Sequence, residues 1–522
     1  MIFSLGHIIR ISRAGFVLAR AGVFSHIDRT SLPVSAQLPF AIAKLIARRP
    51  QAGGADRLAE AIGQLGPSYV KLGQFLATRP DVVGAEVALR LEHLQDRMAP
   101  FPRAQSVKTI EAAFGRPIDQ IFVEFGEPVA AASIAQVHKA RVRDGKGERE
   151  VAVKVLRPGV ERRFRRDLSD MYFAAHIAEL WFPDLRRLKP IEVVDTLART
   201  VKIEMDFRLE AAAASEFAEN TRSESDFRVP QVDWDRTERD VLTLEWIDGI
   251  PLSDVPALAA KGYDLPELAR ILIQSFLRHA MRDGFFHADM HQGNLFVDAE
   301  GSLTAVDFGI MGRLGRKERR FLAEILFGFI TRDYRRVAEV HFEAGYVPRR
   351  HAVEDFATAL RAIGEPIHAR PADQISMAKL LTLLFEVTAL FDMRTRTELV
   401  LLQKTMVVVE GVGRGLDPKL DMWATAEPVV RSWIEENLGP IGRLDDARRA
   451  GLSLVKFAAA LPAALLRAEN IAIQLERTTE GGFELSEDAI KKIMMAHSRA
   501  LRLGHLALWV IALSLIGYFI LH

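Results

Sequence analysis

Apolar positions recur at helical spacing up to about residue 110, in segments broken at Arg49-Pro50 with Gly53-Gly54, at Gly66-Pro67, and at Pro100 and Pro102. From about 118 to 156 the pattern shortens to that of strands. The runs IFVEFGEPV, SIAQVHKARV and REVAVKVL are rich in β-branched and aromatic residues, and Asp144-Gly145-Lys146-Gly147 separates the last two as a turn. Helical spacing returns over roughly 160–220. The run VLTLEWIDGI (241–250) then reads as one buried strand closing on Asp248-Gly249. Beyond 264 the pattern is helical again, except for NLFVD and SLTAVDF, two short strands around Ala299-Glu300-Gly301. The order predicts an α+β chain in which a small β-rich lobe precedes a larger helical lobe, with a helical segment in front.

The two ends add a membrane expectation. Leu506 to Leu521 (LALWVIALSLIGYFIL) carries no charge, has Trp509 and Tyr518 near its ends, and follows Lys491, Lys492, Arg499 and Arg502. It is short for a span, yet its terminal position, aromatic flanks and basic approach predict a C-terminal anchor with the basic side in the cytoplasm, ahead of an interfacial or core helix. The first residues are no secretory signal, because Arg10, Arg13 and Arg20 interrupt the apolar stretch. On a helix, His7, Arg10, Arg13 and Arg20 share a side. That arrangement suits a helix lying on an anionic membrane surface or an ordinary packing helix, and the pattern does not choose between them. The apolar run at 456–470 is interrupted by Pro462 and is too short to span.

Composition narrows the classes. Over 522 residues, Lys and Arg number 69 and Asp and Glu 68, so there is no cationic field for wrapping nucleic acid. The chain has no cysteine, which excludes disulfides, cysteine-ligated zinc or iron–sulfur clusters and thiol catalysis. The length predicts two to four domains, at about 150 residues each.

Four pieces that carry chemistry fall in one order. An Ala-rich loop, Ala130-Ala131-Ala132-Ser133, lies between two strand-like runs; Val151-Ala152-Val153-Lys154-Val155 is a buried strand with one lysine; His287-Ala288-Asp289-Met290-His291-Gln292-Gly293-Asn294 follows; and Asp307-Phe308-Gly309 ends a strand. H-x-D-x(4)-N followed by D-F-G matches the catalytic and metal loops of protein kinases, and V-A-V-K matches their nucleotide lysine. Phosphoryl chemistry on ATP needs its negative charge held and neutralised. Lys154 can reach the phosphates, and Asn294 and Asp307 offer hard oxygens for Mg²⁺. Asp289, five residues before Asn294, can orient or deprotonate an attacking hydroxyl or water. Each piece alone has an ordinary reading: Lys154 as a strand gatekeeper, His287, Asp289 and His291 as a metal cluster, Asp307-Phe308-Gly309 as a turn. The metal-cluster reading leaves Lys154, Asn294 and Asp307 unexplained. The ordered set is what carries the kinase-like expectation.

The chain resembles the UbiB family of atypical protein-kinase-like proteins. The residues that carry the likeness are Lys71-Leu72-Gly73-Gln74, similar to its K-x-G-Q motif; Ala130 to His138 (AAASIAQVH), similar to the Ala-rich loop that replaces the kinase Gly-rich loop; Glu204-Met205-Asp206 with Glu210, similar to its E-x-D helix; and Gly284-Phe285-Phe286-His287-Ala288-Asp289 through Asn294. The resemblance implies a two-lobed protein-kinase-like fold, helix-rich, with an N-terminal helical extension and a C-terminal membrane helix. The implied divisions are 1–110 for the extension, 111–250 for the small lobe, 251–440 for the catalytic lobe, 441–504 for a further helical region and 505–522 for the anchor.

It further implies ATP bound by Ala130, Ala131, Ala132, Ser133, Ile134, Ala135, Gln136, Val137, His138, Lys154, Glu204 and Glu245, with Mg²⁺ on Asn294 and Asp307. Asp289 is the implied catalytic group, and Lys71, Gln74, Asp206 and Glu210 are implied regulatory positions. The implied role is in ubiquinone biosynthesis at the cytoplasmic membrane. The implied partners are membrane lipid, prenylated quinone precursors and other proteins of that biosynthesis.

The residues themselves leave several points open. From periodicity, Lys71 and Gln74 form a solvated pair on a helix opened by Pro67. Glu204 lies 50 residues beyond Lys154, and spacing does not pair them. Alanine in place of glycine predicts a loop for which positive φ is costly. No A-P-E and no long activation segment follow Asp307-Phe308-Gly309, so the expected peptide-substrate platform is missing. The family's older label, a polyprenylphenol hydroxylase, would call for a dinucleotide fingerprint or a metal site. The segment Val407 to Gly415 approaches a fingerprint but lacks its glycine spacing, and it reads as the end of a helix. A nucleotide-binding scaffold without turnover is the third reading.

Overall fold

The computed structural model describes residues 5–21, 57–77, 98–181 apart from 146, 186, 188–368, 391–393 and 397–439, with isolated positions at 83, 87, 91, 387 and 390. The chain divides into two units, Met1–Val429 with Ser514–His522, and Val430–Leu513. The second is described only over 430–439, of which 430–438 are helix. The anchor expected at 505–522 and the apolar run at 456–470 lie outside the described residues. Among the described residues no helix is long and apolar enough to cross a membrane.

The first unit opens with α1 (Leu5–Arg20), α2 (Arg57–Leu65), α3 (Pro67–Ala77) and α4 (Arg103–Phe114). The small lobe is a four-stranded antiparallel sheet in the order β1 (Glu124–Ala131), β2 (Ala135–Asp144), β3 (Gly147–Leu156) and β5 (Val241–Glu245). Strand alternation sorts its side chains onto two faces. Ala140, Val142, Val151, Val153, Val155 and Val241 meet Ile110 of α4 in one core. Ala135, Leu156, Leu242 and Leu244 meet Phe164, Leu197 and Phe207 in another. The second core is built by three helices inserted between β3 and β5, namely α5 (Val160–Trp181), α6 (Pro190–Glu204) and α7 (Phe207–Asn220). They resolve the single helical stretch expected over 160–220. Pro190 sits in the first turn of α6, and Asp206 caps α7 by accepting from Arg208 N.

The run at 241–250 departs from its expected single strand. β5 stops at Glu245, and Ile250–Pro251 forms a separate short strand, β6, in another sheet. The stretch between them is the connection from the small lobe to the large one. Val241–Leu244 are buried, whereas Ile250 and Pro251 are only half-buried.

The large lobe holds α8 (Val255–Ala260) and α9 (Leu265–Arg278), a π-helical turn over His279–Asp283, and the short strands β7 (Phe285–His287), β8 (Leu295–Val297), β9 (Leu303–Ala305) and β10 (Met311–Arg313). Helices α10 (Arg316–Ile330), α11 (Tyr334–Glu343), α12 (Val353–His368) and α13 (Thr397–Leu416) follow. The segment 407–415 lies inside α13, which agrees with reading it as helix. β4 (Phe227–Arg228) pairs with β9, so the chain that leaves α7 is tied to the strand that precedes Asp307. Glu224 reinforces that tie: it is buried between Arg278, Arg282 and His279, which hold its carboxyl near 2 against the opposing effect of burial.

Candidate functional site

Lys154 and its partners occupy one face of the small-lobe sheet. In the antiparallel register Lys154 stands opposite Val137 and Leu242, and directly opposed residues share a face. Its neighbours Val153 and Val155 face α4 instead. The Lys154 ammonium donates to Glu210 Oε1 at 2.8 Å and Oε2 at 3.0 Å, and to Asp307 Oδ1 at 3.1 Å. Burial works against its charge, but Asp307 and Glu210 outweigh burial and raise its pKa above the usual lysine value. Asp307 is held below the usual carboxylate range because Lys154 overcomes the effect of burial. Glu210 is pushed up to about 7, by burial first and by the nearby Asp307 charge, with Lys154 opposing both. One lysine thus faces two carboxylates, and the more buried one carries the cost.

The structure re-pairs the two glutamates. Glu204, the residue expected beside ATP, forms an ion pair with Lys71 at 2.8 Å, and both side chains are nearly buried. Glu210, expected to be regulatory, is the carboxylate that holds Lys154. Helix geometry explains the swap: Asp206 caps α7, and Glu210 projects from the stripe formed by Phe207, Ala211, Ala214 and Phe217, all buried. A glutamate on an otherwise apolar inward face was the signal in the sequence. Asp206 itself spends its carboxylate on Arg208, through the cap and an ion pair of 2.8 Å, and takes no part in the cluster. Lys71 stands close enough to Asp307 to favour its ionised form, so the Lys71–Glu204 pair borders the same site. Gln74 is half-buried one turn along α3.

The Ala-rich run splits between the two faces of the sheet. Ala130 and Ala131 end β1, and Ala132 N donates to Ala135 O at 2.8 Å across the Ser133–Ile134 tip. No residue of Ala130–His138 has positive φ, so this tip needs no glycine. Val137 shares the Lys154 face. Gln136 and His138, both buried, point the other way. Gln136 bonds both main-chain groups of Phe101 and the Ser106 hydroxyl, while His138 lies between Gly126 O and Ser106 Oγ. These two residues lock α4 to the sheet and are removed from the nucleotide-facing set. The polar triplet with Ser106 was not visible in the sequence, since Ser106 lies 30 residues before Gln136. Glu245 ends β5, pairs with Arg228 at 2.5 Å and accepts from Gln231 N, at the connection between the lobes.

The loops at 287–294 and 306–309 are stitched by backbone and ring contacts. His287 is buried; its Nδ1 accepts from Asp289 N at 3.1 Å, which places the proton on Nε2, 3.3 Å from Val306 O. Burial lowers its pKa and keeps it neutral. Both ring nitrogens are committed, so His287, Asp289 and His291 do not form a metal cluster. Asn294 Nδ2 donates to Asp289 O at 3.1 Å, and Val306 N to Asn294 O at 2.8 Å. Thr405 of α13 supports the loop through its buried hydroxyl, 3.0 Å from Ala288 O. That residue was missed: a threonine inside an apolar helix gives no hint of its partner. Asp307 has φ 64°, a strained conformation for a residue with a side chain. It turns the carboxylate toward Lys154, while Phe308 packs against Phe217 and His287.

The donor chemistry fits Mg²⁺. Asn294 spends its amide nitrogen on Asp289 O and keeps an oxygen, and Asp307 offers a carboxylate. Among the described residues no group of three or more His, Asp or Glu forms a metal cage. Mg²⁺ commonly takes one or two protein oxygens and fills its shell with water and phosphate.

The ABC1 atypical kinase-like domain matches residues 93–341, and the UbiB helical domain matches residues 360–421. A protein named probable protein kinase UbiB from Marinobacter nauticus is 38% identical over 97% of this chain and 93% of its own length. One of the same name from Azotobacter vinelandii is 41% identical over 76% of this chain and 75% of its own. A solved complex of a Mycobacterium tuberculosis protein with erythromycin aligns at 25% identity over 78% of this chain and 98% of that one, with a TM-score of 0.46.

Proposed function

The chain belongs to the UbiB family of atypical kinase-like proteins, and from that premise we propose that it is a Mg·ATP-dependent ATPase or phosphotransferase supporting ubiquinone biosynthesis at the cytoplasmic membrane. The observation that carries this reading is the position of Lys154, bridged to Glu210 and to Asp307, whose neighbour Val306 is bonded to Asn294 of the Asp289–Asn294 loop. Mg²⁺ bound there would neutralise phosphate charge. Lys154 would hold the phosphates, and Glu210 would fix the lysine in place. Asn294 and Asp307 would supply the oxygens for the ion. Asp289, partly exposed beyond them, would orient an attacking hydroxyl or water and take its proton.

The ion pair of Lys71 with Glu204 places α3 beside this cluster, and this favours water or a small phenol over a polypeptide as acceptor. Prenylated quinone precursors, membrane lipid and other proteins of the pathway are the proposed partners, with 505–522 as the anchor.

The test is purified full-length protein with and without Mg·ATP. Thermal stabilisation by Mg·ATP, with phosphate release that depends on Asp289, is the expected result. A stoichiometric flavin or iron chromophore, with no response to nucleotide, would replace this reading with the hydroxylase. Stabilisation without any turnover would leave the scaffold reading.

A further inference from the structure

A cavity of about 470 Å³ opens where β3 gives way to α5. Helix α4 forms one wall, and α4 covers the Val153 and Val155 face of the sheet, away from Lys154. Four cations line the cavity, Lys108, Arg157, Arg162 and Arg165, against two carboxylates, Glu161 and Asp240. The carboxylates leave the lining with two positive charges in excess. Glu161 is paired with Arg239 at 3.3 Å. Burial raises the Asp240 carboxyl above its usual pKa, and the Arg239 charge opposes that shift.

Lys108, Arg162 and Arg165 have no hydrogen-bond or ion-pair partner among the described residues. Other exposed arginines of the molecule do, such as Arg208 with Asp206 and Arg313 with Glu216. Like charges gathered around one hollow repel unless a counter-ion joins them, and arginine and lysine together favour phosphate oxygens. The volume falls within the range of small-ligand sites, roughly 300–1,000 Å³.

Arg157 connects this hollow to the nucleotide-side loop. Its Nη2 donates to Ala132 O at 3.2 Å and Ala99 O at 3.1 Å, and its backbone N donates to Ile134 O at 2.7 Å. An anion that draws on this guanidinium competes with the carbonyl that fixes the Ala-rich tip.

We propose that this cavity binds a phosphate-bearing anion and, through Arg157, changes how the Ala-rich loop receives nucleotide. The phosphate could belong to a soluble ester or diphosphate, or to the headgroup of an anionic lipid.

The experiment uses the full-length chain in detergent, with inorganic pyrophosphate as probe, in wild type, Lys154→Ala and Arg162→Gln/Arg165→Gln. The expected result is binding that survives Lys154→Ala and weakens by about tenfold or more in the arginine pair, as loss of charge-assisted contacts requires. Both arginines are exposed, so the pair variant should keep wild-type melting and Mg·ATP stabilisation. Saturating pyrophosphate should shift ATP affinity about two- to fivefold in wild type and leave the arginine pair unmoved. Competition between pyrophosphate and vesicles of phosphatidylcholine with phosphatidylglycerol, absent with phosphatidylcholine alone, would assign the headgroup as the source; no competition would assign a soluble phosphate. Pyrophosphate binding lost in Lys154→Ala but unchanged in the arginine pair would overturn the proposal, as would no arginine-dependent binding of either probe. An unchanged ATP affinity would overturn the coupling through Arg157.

Discussion

Lys71 Nζ lies 2.8 Å from Glu204 Oε2, with both side chains nearly buried, so a helix ahead of the small lobe is clamped to the end of a helix inserted within it. The clamp stands six residues before the glutamate that holds Lys154. Two lysine–glutamate pairs therefore stand side by side, one from α3 to α6 and one from β3 to α7.

Removing one member of the outer pair strands a charge in a largely dry site. Lys71→Ala or Glu204→Ala alone should each cost about 2–4 kcal/mol of stability, and the double variant should cost less than the sum. Urea melts of the three variants check this. Additive losses would mean that the pair is not coupled. The released α3 should also alter phosphate release more than it alters Mg·ATP binding, since neither residue is the phosphate lysine.

Glu210 gives the inner pair a pH signature. Its folded pKa, pushed up to about 7, exceeds the ordinary carboxyl value of 4.5, so folding favours its protonated form. The folded state then binds more protons than the unfolded state between those values, and stability falls as pH rises from about 4.5 through about 7. Glu210→Gln should remove that part of the slope. Melting temperatures from pH 5 to pH 8 for wild type and variant read it directly; parallel curves would show that Glu210 does not titrate there. The same variant should weaken Mg·ATP binding, because Lys154 loses its charged partner on α7.

Asp289 and Asp307 should separate binding from turnover. Asp289→Asn is expected to leave Mg·ATP stabilisation near wild type while phosphate release falls by about 10²-fold or more, the usual scale for losing a positioned base. Asp307→Asn is expected to weaken Mg·nucleotide binding itself, since it removes a proposed metal oxygen and a Lys154 partner together. Full turnover by Asp289→Asn would remove that residue from the mechanism.

The kinase-like core was legible because its pieces are local. A lysine in V-A-V-K must lie on a strand, and H-x-D-x(4)-N with D-F-G must lie on loops at strand ends; the structure has them there. What escaped was long-range. Glu204 and Glu210 sit one and a half turns apart across a cap, and only the start of α7 at Asp206 decides which of them turns toward β3. Gln136 and His138 were grouped with the loop because they follow it in sequence, yet strand alternation sends them to the other face. At the N-terminus, the helix pattern left two readings open. The structure has His7 and Arg10 gripping Asp170 of α5, with Arg10 at 2.6–2.7 Å, while Ile9 and Arg13 face outward. Half of the basic side is thereby spent inside the protein, which an amphipathic plot cannot reveal.

The proposed membrane attachment is then assigned to 505–522. Deleting 505–522 should shift much of the protein from the membrane pellet to the supernatant and leave Mg·ATP stabilisation intact. Fractionation of the two forms decides it. A truncated chain that stays wholly in the pellet would move the anchor to another segment, with the outward Ile9 and Arg13 of α1 the first to examine.

Alanine in the nucleotide loop calls for a different expectation from the one its chemistry first invites. The usual argument is that glycine would restore positive φ and bring amides closer to phosphate. Here the tip closes without positive φ, through Ala132 N to Ala135 O, and Arg157 grips the carbonyls of Ala132 and Ile134 from below. Glycine at position 131 therefore adds no conformation that the folded loop uses; it adds only freedom to the unfolded chain and to the strand end. Ala131→Gly should lower stability by about 0.5–1 kcal/mol. Any change in nucleotide affinity should come from a looser loop, with faster release of both ATP and ADP. Calorimetric melting together with stopped-flow release of a fluorescent nucleotide tests both parts. A variant that melts like wild type and releases nucleotide more slowly would show that the loop rearranges on binding into a glycine-favoured form, and the closed tip seen here would then be its resting shape.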